Sequence, residues 1–187
     1  LAALGNLGGG EGADHAFRPD ETVADEAVIE GPDWRLRVIH TPGHFGNHIC
    51  LAWNDAVFSG DQAMGWSTSI VSPPDGDMTA YMTSLDRLRT LNARRLYPGH
   101  GAEVLDAGAR LRELVDHRRG REAQILAALQ QGGGEAAELA ARIYTDVPPG
   151  LLPAATRNVF AHLLDLEARS LTRASSEDRL RTRWEPI

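Results

Sequence analysis

Three of the chain's seven histidines stand at positions 40, 44 and 48. Four-residue spacing would place them on one side of a helix, where they could bind a metal ion. Pro42 and Gly43 interrupt such a helix. The alternative is a tight turn at the end of a strand, which can direct the His44 imidazole out of a sheet.

The same local pattern, an apolar strand followed by glycine and one possible ligand, occurs twice more. It precedes Asp61 in Ser59-Gly60-Asp61 and His100 in Pro98-Gly99-His100. If the three strands are neighbours, these side chains and that of His44 meet at one edge of a sheet. Neutral imidazole with carboxylate suits zinc, iron or manganese. We therefore predict that His44, Asp61 and His100 are metal ligands.

Hydrophobic periodicity predicts the elements that position these residues. Alternating or short apolar runs predict strands, and Asn54-Asp55 predicts a tight turn between two antiparallel strands. Apolar residues at helical spacing follow Asp77, which is placed to cap a helix. The predicted strands cover residues 26–29, 34–40, 49–53, 56–58 and 94–97, and the predicted helices cover residues 78–91, about 25 residues up to Gly132, 135–144 and 152–171.

A glycine triplet at 132–134 separates the mixed part of the chain from a purely helical part. Two helices joined by the turn at 147–150 are typical of a helix-turn-helix, and the tail 175–187 is predicted to form a short hairpin or wing. We predict an α+β domain over residues 1–130 and a small winged-helix-like domain over residues 131–187. The latter's neutral charge argues against sequence-specific DNA binding.

The loop over residues 60–77 is long enough to suggest a binding segment. Trp66 and Ser67 lie in it and are candidate substrate contacts, although Trp66 is equally consistent with a buried aromatic. His48 is either a substrate contact or a packed residue at the start of a strand.

Charge excludes several classes of function. Residues 1–105 hold 7 Arg against 14 Asp and Glu, and residues 106–187 hold 12 of each, so neither part is net basic. This charge balance argues against strong binding to nucleic acid or an anionic membrane through bulk charge. The cluster of His117, Arg118, Arg119 and Arg121 is interpreted as a solvated helix face. Lysine is absent, which excludes phosphate-loop and Schiff-base lysines.

The single cysteine, Cys50, excludes a disulfide framework and is expected to be a buried thiol. No apolar run is long enough to cross a bilayer, and no secretion signal is visible. These features predict a cytoplasmic protein with no membrane partner.

The segments His40-Thr41-Pro42-Gly43-His44, Phe58-Ser59-Gly60-Asp61 and Tyr97-Pro98-Gly99-His100-Gly101 resemble the second half of the metallo-β-lactamase fold superfamily. The downstream helices resemble its β-lactamase-like protein 2 branch, which includes metal-dependent hydrolases and an endoribonuclease.

This resemblance implies an αββα sandwich, here largely its C-terminal half, holding two divalent metal ions. Zinc is expected, with iron or manganese as alternatives. Asp61 would bridge both ions, and His44 and His100 would each complete one site. The ions would produce hydroxide near neutral pH.

The family's His-x-His-x-Asp-His motif is absent, because the pair Asp14-His15 has glycine at both required histidine positions. Together with the Leu1 start, this predicts that the first half of the fold lies upstream. Half of the sandwich alone would expose a large apolar face. This face would need to be covered by the missing half or by a second copy of the chain, or removed by a rearrangement of the structure. The predicted function is a metal-dependent hydrolase acting on a small molecule or a nucleic acid. A thioester hydrolase like glyoxalase II and a non-catalytic binding module are the alternatives.

Overall fold

A computed structural model describes residues 16–187, so Asp14-His15 and the Gly8–Gly10 stretch lie outside the described residues. The strands are β1 (Val28–Glu30), β2 (Arg35–His40), β3 (Ile49–Trp53), β4 (Ala56–Gly60), β5 (Arg95–Pro98), β6 (Thr172–Ala174) and β7 (Trp184–Pro186). The helices are α1 (Met78–Thr90), α2 (Ala107–Gln130), α3 (Ala136–Ile143) and α4 (Leu152–Ala168), with a short 3-10 turn at Pro149–Leu151.

The described residues divide into two compact units. The sheet unit comprises residues 16–69 and 79–116, and the helical unit comprises residues 70–78 and 117–187. None of the helices in residues 16–187 is long and apolar enough to cross a membrane. The domain boundary near residue 130 stays a prediction.

The sheet unit contains a five-stranded sheet in the order β1-β2-β3-β4-β5. The first three pairings are antiparallel, whereas β4 and β5 are parallel and are joined through α1. A parallel pair requires such a crossover. Asn54 takes the left-handed conformation that the predicted turn between β3 and β4 requires (φ +51°).

One face of this sheet is buried at its centre, and the other is partly exposed. The buried face includes Ile39 beside Cys50 and Val57 beside Leu96, all at most 1% exposed. Burial raises the pKa of Cys50 to about 12, which confirms the predicted buried thiol. The other face carries an aromatic row in which Phe58 packs against both neighbours. The row consists of Trp53, Phe58 and Tyr97.

The helical unit has its own core, built from α3, α4, the last turns of α2 and the β6-β7 hairpin. Trp184 is fully buried there and packs edge-on against Phe160. The predicted terminal hairpin is confirmed, but it begins at Thr172, directly after the stretch predicted as helix, whose last residues are not helical. Helix α4 ends at Ala168, and Ser170 takes a positive φ (+58°) that ends the helical path.

The interpretation of the arginine cluster on α2 as a solvated face is wrong for two of its members. Arg118 is 2% exposed and donates to Asn158 Oδ1 at 2.6 Å. Arg121 lies over the Tyr144 ring at 3.9 Å, and Asn158 donates to the Tyr144 hydroxyl at 2.8 Å. These contacts hold α2, α3 and α4 together within the helical unit.

Candidate metal centre

Helix α1 fixes the turn that carries His44. Gly43 has a φ of +141°, and a Cβ there would meet the backbone of Tyr81. Ser84 donates its hydroxyl to the Pro42 carbonyl at 2.7 Å. Because only glycine allows both the conformation and the approach, the Pro42-Gly43 pair presents His44 at the end of β2.

Asp61 follows β4 through a second constrained glycine. Gly60 has a φ of +51°, and a Cβ there would lie 2.7 Å from His48 Nε2. The Gly60 carbonyl accepts the Gly99 amide at 3.0 Å, which ties the end of β4 to the end of β5. The hydroxyl of Ser69 donates to the Asp61 carbonyl. The backbone around Asp61 is therefore held from two sides.

His100 follows β5 between two glycines. A Cβ on Gly99 would lie 2.7 Å from Asp61 Oδ1, so this position leaves room for the carboxylate. Gly101 has a φ of +88° and turns the chain away after the imidazole.

The structure brings the three predicted ligands together at one edge of the sheet. The Nε2 atoms of His44 and His100 lie 4.0 Å and 3.5 Å from the same oxygen, Asp61 Oδ2. Asp61 Oδ1 is buried and has no hydrogen-bond partner. Exposure rises from 17% for the His44 side chain to 23% for Asp61 and 63% for His100. The carboxylate thus lies between the two imidazoles, with one oxygen unsatisfied.

The 3.5 Å distance from His100 to Asp61 is close to the spacing of two ligand atoms on one zinc ion, whereas the 4.0 Å distance from His44 is longer. Ligand atoms about 2.1 Å from one zinc ion in tetrahedral geometry are separated by about 3.4 Å. No group of three or more His, Cys, Asp or Glu side chains within residues 16–187 could hold an ion. The arrangement is therefore two His–Asp pairs that share Asp61, and each pair supplies only part of a coordination sphere.

His48 lies beside the pairs. Its Nδ1 is 2.9 Å from Thr41 Oγ1, and its ring centroid is 6.3 Å from that of His44. Burial, reinforced by the nearby His44, lowers the pKa of His48 to about 4. His48 stands directly before β3, and its ring packs against Gly60 at the end of β4. Its predicted contact with substrate stays a prediction.

Trp66 is 71% exposed, so the interpretation of this residue as a buried aromatic is wrong. Its indole lies against Gly101, where a Cβ would come within 2.7 Å of Cδ1. Ser67 is partly buried, and its hydroxyl donates to the Thr68 carbonyl at 3.4 Å. Both residues lie on the loop after Asp61, and their contact with substrate stays a prediction.

Arg110, a residue that no sequence pattern singles out, holds this loop. It donates from Nε to the Met64 carbonyl at 2.7 Å and from Nη2 to the Ser67 carbonyl at 2.6 Å. Because these acceptors are backbone atoms more than 40 residues away in the chain, no sequence pattern indicates the pairing.

Comparison with known proteins matches both parts of the chain to family models. Residues 3–100 match the metallo-beta-lactamase superfamily, and residues 136–184 match the beta-lactamase associated winged helix domain. A beta-lactamase-like protein 2 homolog from Drosophila melanogaster is 35% identical over 154 residues, which cover 80% of this chain and 51% of that protein. The chain spans about half the length of the curated relatives it matches.

Two further proteins bear on fold and function. An atrochrysone carboxyl ACP thioesterase from Aspergillus fumigatus is 33% identical over 126 residues, which cover 65% of this chain and 39% of that protein. The crystal structure of a metallo-beta-lactamase family protein from Thermus thermophilus superposes with a TM-score of 0.78 at 25% identity, covering 91% of this chain and 55% of the other.

These matches confirm the predicted fold class and both resemblances noted in the sequence. The family match includes all three strand ends that carry the two His–Asp pairs, and the winged-helix match covers α3, α4 and the terminal hairpin up to Trp184. The chain belongs to the metallo-beta-lactamase superfamily and carries a beta-lactamase-associated winged helix domain.

Proposed function

We propose that this chain supplies half of the active site of a metal-dependent hydrolase. The observation that carries the proposal is the approach of two imidazoles, from His44 and His100, to one oxygen of Asp61. Members of the superfamily typically bind divalent metal ions. Two such ions, zinc by preference and iron or manganese as alternatives, would supply a Lewis acid and activated water near neutral pH.

The chain's own residues would position this chemistry. Asp61 would contribute its carboxylate to both ions. Its buried Oδ1, which has no hydrogen-bond partner, would then interact with a cation. His44 and His100 would each contribute one nitrogen. The close approaches of Gly43 to Tyr81 and of Gly99 to Asp61 would help to keep these groups in place.

We propose an acyl thioester as the substrate class. One relative is named as a thioesterase, and the stretch from His44 to Leu51 is similar to the glyoxalase II group. A nucleic acid and a lactone are the alternatives. The proposed location is the cytoplasm, in keeping with the buried Cys50 thiol.

Asp61→Asn tests this function. In the intact protein, with both halves of the fold present, we expect the substitution to reduce metal-dependent thioester hydrolysis by about a hundredfold or more, because an amide lacks the charge that bridges two cations. Asp55→Asn is the matched control, since Asp55 is 62% exposed at the turn between β3 and β4. Turnover should be followed by the released thiol after zinc or manganese has been added. Equal turnover in the two variants would count against the proposal.

A non-catalytic binding module is the second candidate, because residues 16–187 supply only part of each coordination sphere. DNA is a poor fit as its partner. Arg157 is 4% exposed and Asn158 bonds to Arg118 and Tyr144, so the side chains at the start of α4 are turned into the helical unit.

A further inference from the structure

Arg110 is the one arginine of the sheet unit's part of α2 that faces inward, with a side chain only 11% exposed. Its guanidinium donates to the carbonyls of Met64 and Ser67, and Nη1 pairs with Glu113 at 2.8 Å. Every nitrogen of the planar group is engaged. Lysine could not reproduce this arrangement, because its donors share one nitrogen whereas Arg110 uses three separate nitrogens.

The two carbonyls bracket a short turn that carries Trp66. Gly65 packs closely against the chain after His100, since a Cβ there would lie 3.1 Å from Val104 Cγ2. Trp66 then covers Gly101, the residue next to His100, and leaves most of its indole in solvent. An indole exposed to this extent offers apolar surface that a bound ligand would bury.

We propose that Arg110 is a positioning residue that holds Trp66 as an apolar wall beside His100. The inference rests on the proposed function, because the wall matters only if substrate is bound at Asp61. A flat, apolar surface at this place favours substrates whose acyl part is aromatic over those with a small aliphatic group.

Nuclear magnetic resonance tests the positioning role without metal or turnover. One α-proton of Gly101 takes the direction of the absent Cβ and points at the indole beside Cδ1, so the ring current displaces its resonance from the ordinary position. Arg110→Gln should return this resonance toward its ordinary position, and Arg110→Lys should do so in part. Arg112→Gln is the control, because Arg112 is exposed on the same helix. An unchanged Gly101 resonance in Arg110→Gln would overturn the proposal.

Trp66→Ala provides a second test that does not depend on Arg110 variants folding, because the side chain it replaces is mostly in solvent. We expect the preference for the benzoyl over the acetyl thioester of N-acetylcysteamine to fall about fivefold to tenfold in Trp66→Ala. Most of the change should lie in KM, with kcat nearly constant. An unchanged preference would overturn the specificity role.

The two hypotheses fail differently. If the wild type hydrolyses neither thioester, the proposed function fails for this substrate class, and the Gly101 resonance still decides the role of Arg110. If the wild type is active and the resonance does not respond to Arg110→Gln, only the positioning role fails.

Discussion

Asp61 is the residue on which the candidate centre depends, because both imidazoles approach its Oδ2 atom. Its other oxygen is buried without a hydrogen-bond partner. A buried polar atom without a partner costs about 1–3 kcal/mol. A cation bound at the carboxylate would offset that cost, which supports the proposed metal centre.

His162 in the helical unit is the second residue with unusual surroundings. It is 1% exposed, and neither ring nitrogen has a hydrogen-bond partner. Burial above all, and then four nearby cationic or titratable groups, lower the pKa of His162 to about 3. The four groups are Arg118, Arg121, His117 and Arg169.

This lowered pKa predicts a loss of stability in acid. The unfolded chain binds a proton near pH 6.5 and the folded chain does not, so the free energy of unfolding falls as the pH drops from 6.5 toward 3. Between pH 7 and pH 5 the loss from this group is about 2 kcal/mol. Urea unfolding at both pH values should show a loss about 2 kcal/mol larger in the wild type than in His162→Leu, because His48, whose pKa is also lowered by burial, contributes equally to both proteins. An equal loss in wild type and His162→Leu would contradict the assignment.

At the scale of elements, local patterns predicted most of the fold. The strands β2, β3 and β5 and the helices were predicted within about three residues, because alternation and helical spacing are properties of adjacent positions. The convergence of His44, Asp61 and His100 was also predictable, since each ligand follows a strand and a glycine. Strands β2, β4 and β5 run in the same direction, with β3 between β2 and β4, so their ends reach one edge of the sheet.

Features that depend on contacts distant in sequence could not be predicted. Arg118 was expected in solvent, yet its partner Asn158 lies 40 residues further along the chain. Arg110 reads as another polar residue on α2, although its acceptors precede it by 43 and 46 residues. The start of β6 at Thr172 depends on pairing with β7, a contact that the helical pattern before it does not indicate.

Gly99, which precedes His100, leads to a prediction about the end of β5. A methyl group at Gly99→Ala would lie 2.7 Å from Asp61 Oδ1, so the carboxylate must shift. We expect zinc affinity to fall by about tenfold or more while circular dichroism stays unchanged.

Gly120→Ala is the matched control, because nothing lies within 4 Å of a Cβ there. Gly120 is in the middle of α2, so alanine should raise the free energy of unfolding by about 0.5–1 kcal/mol and leave zinc binding unaltered. Wild-type zinc affinity in Gly99→Ala would refute the steric account.

At the scale of the whole molecule, one face of the sheet leaves large apolar side chains exposed. Ile49, Trp53 and Phe58 are each more than a third exposed, and they lie on the face opposite the buried core. The chain spans about half the length of the curated relatives it matches. A homo-oligomer that covers this apolar face stays a prediction, as does the identity of any other partner.

The central claim is that Asp61 is shared by two metal ions, and zinc titration of protein without a histidine tag tests it most directly. Calorimetry should find up to two zinc ions per chain in the wild type. Asp61→Asn should weaken both by about tenfold or more, whereas His44→Ala and His100→Ala should each weaken one. Asp55→Asn should bind as the wild type does. Zinc binding that is the same with and without the Asp61 carboxylate would contradict the account.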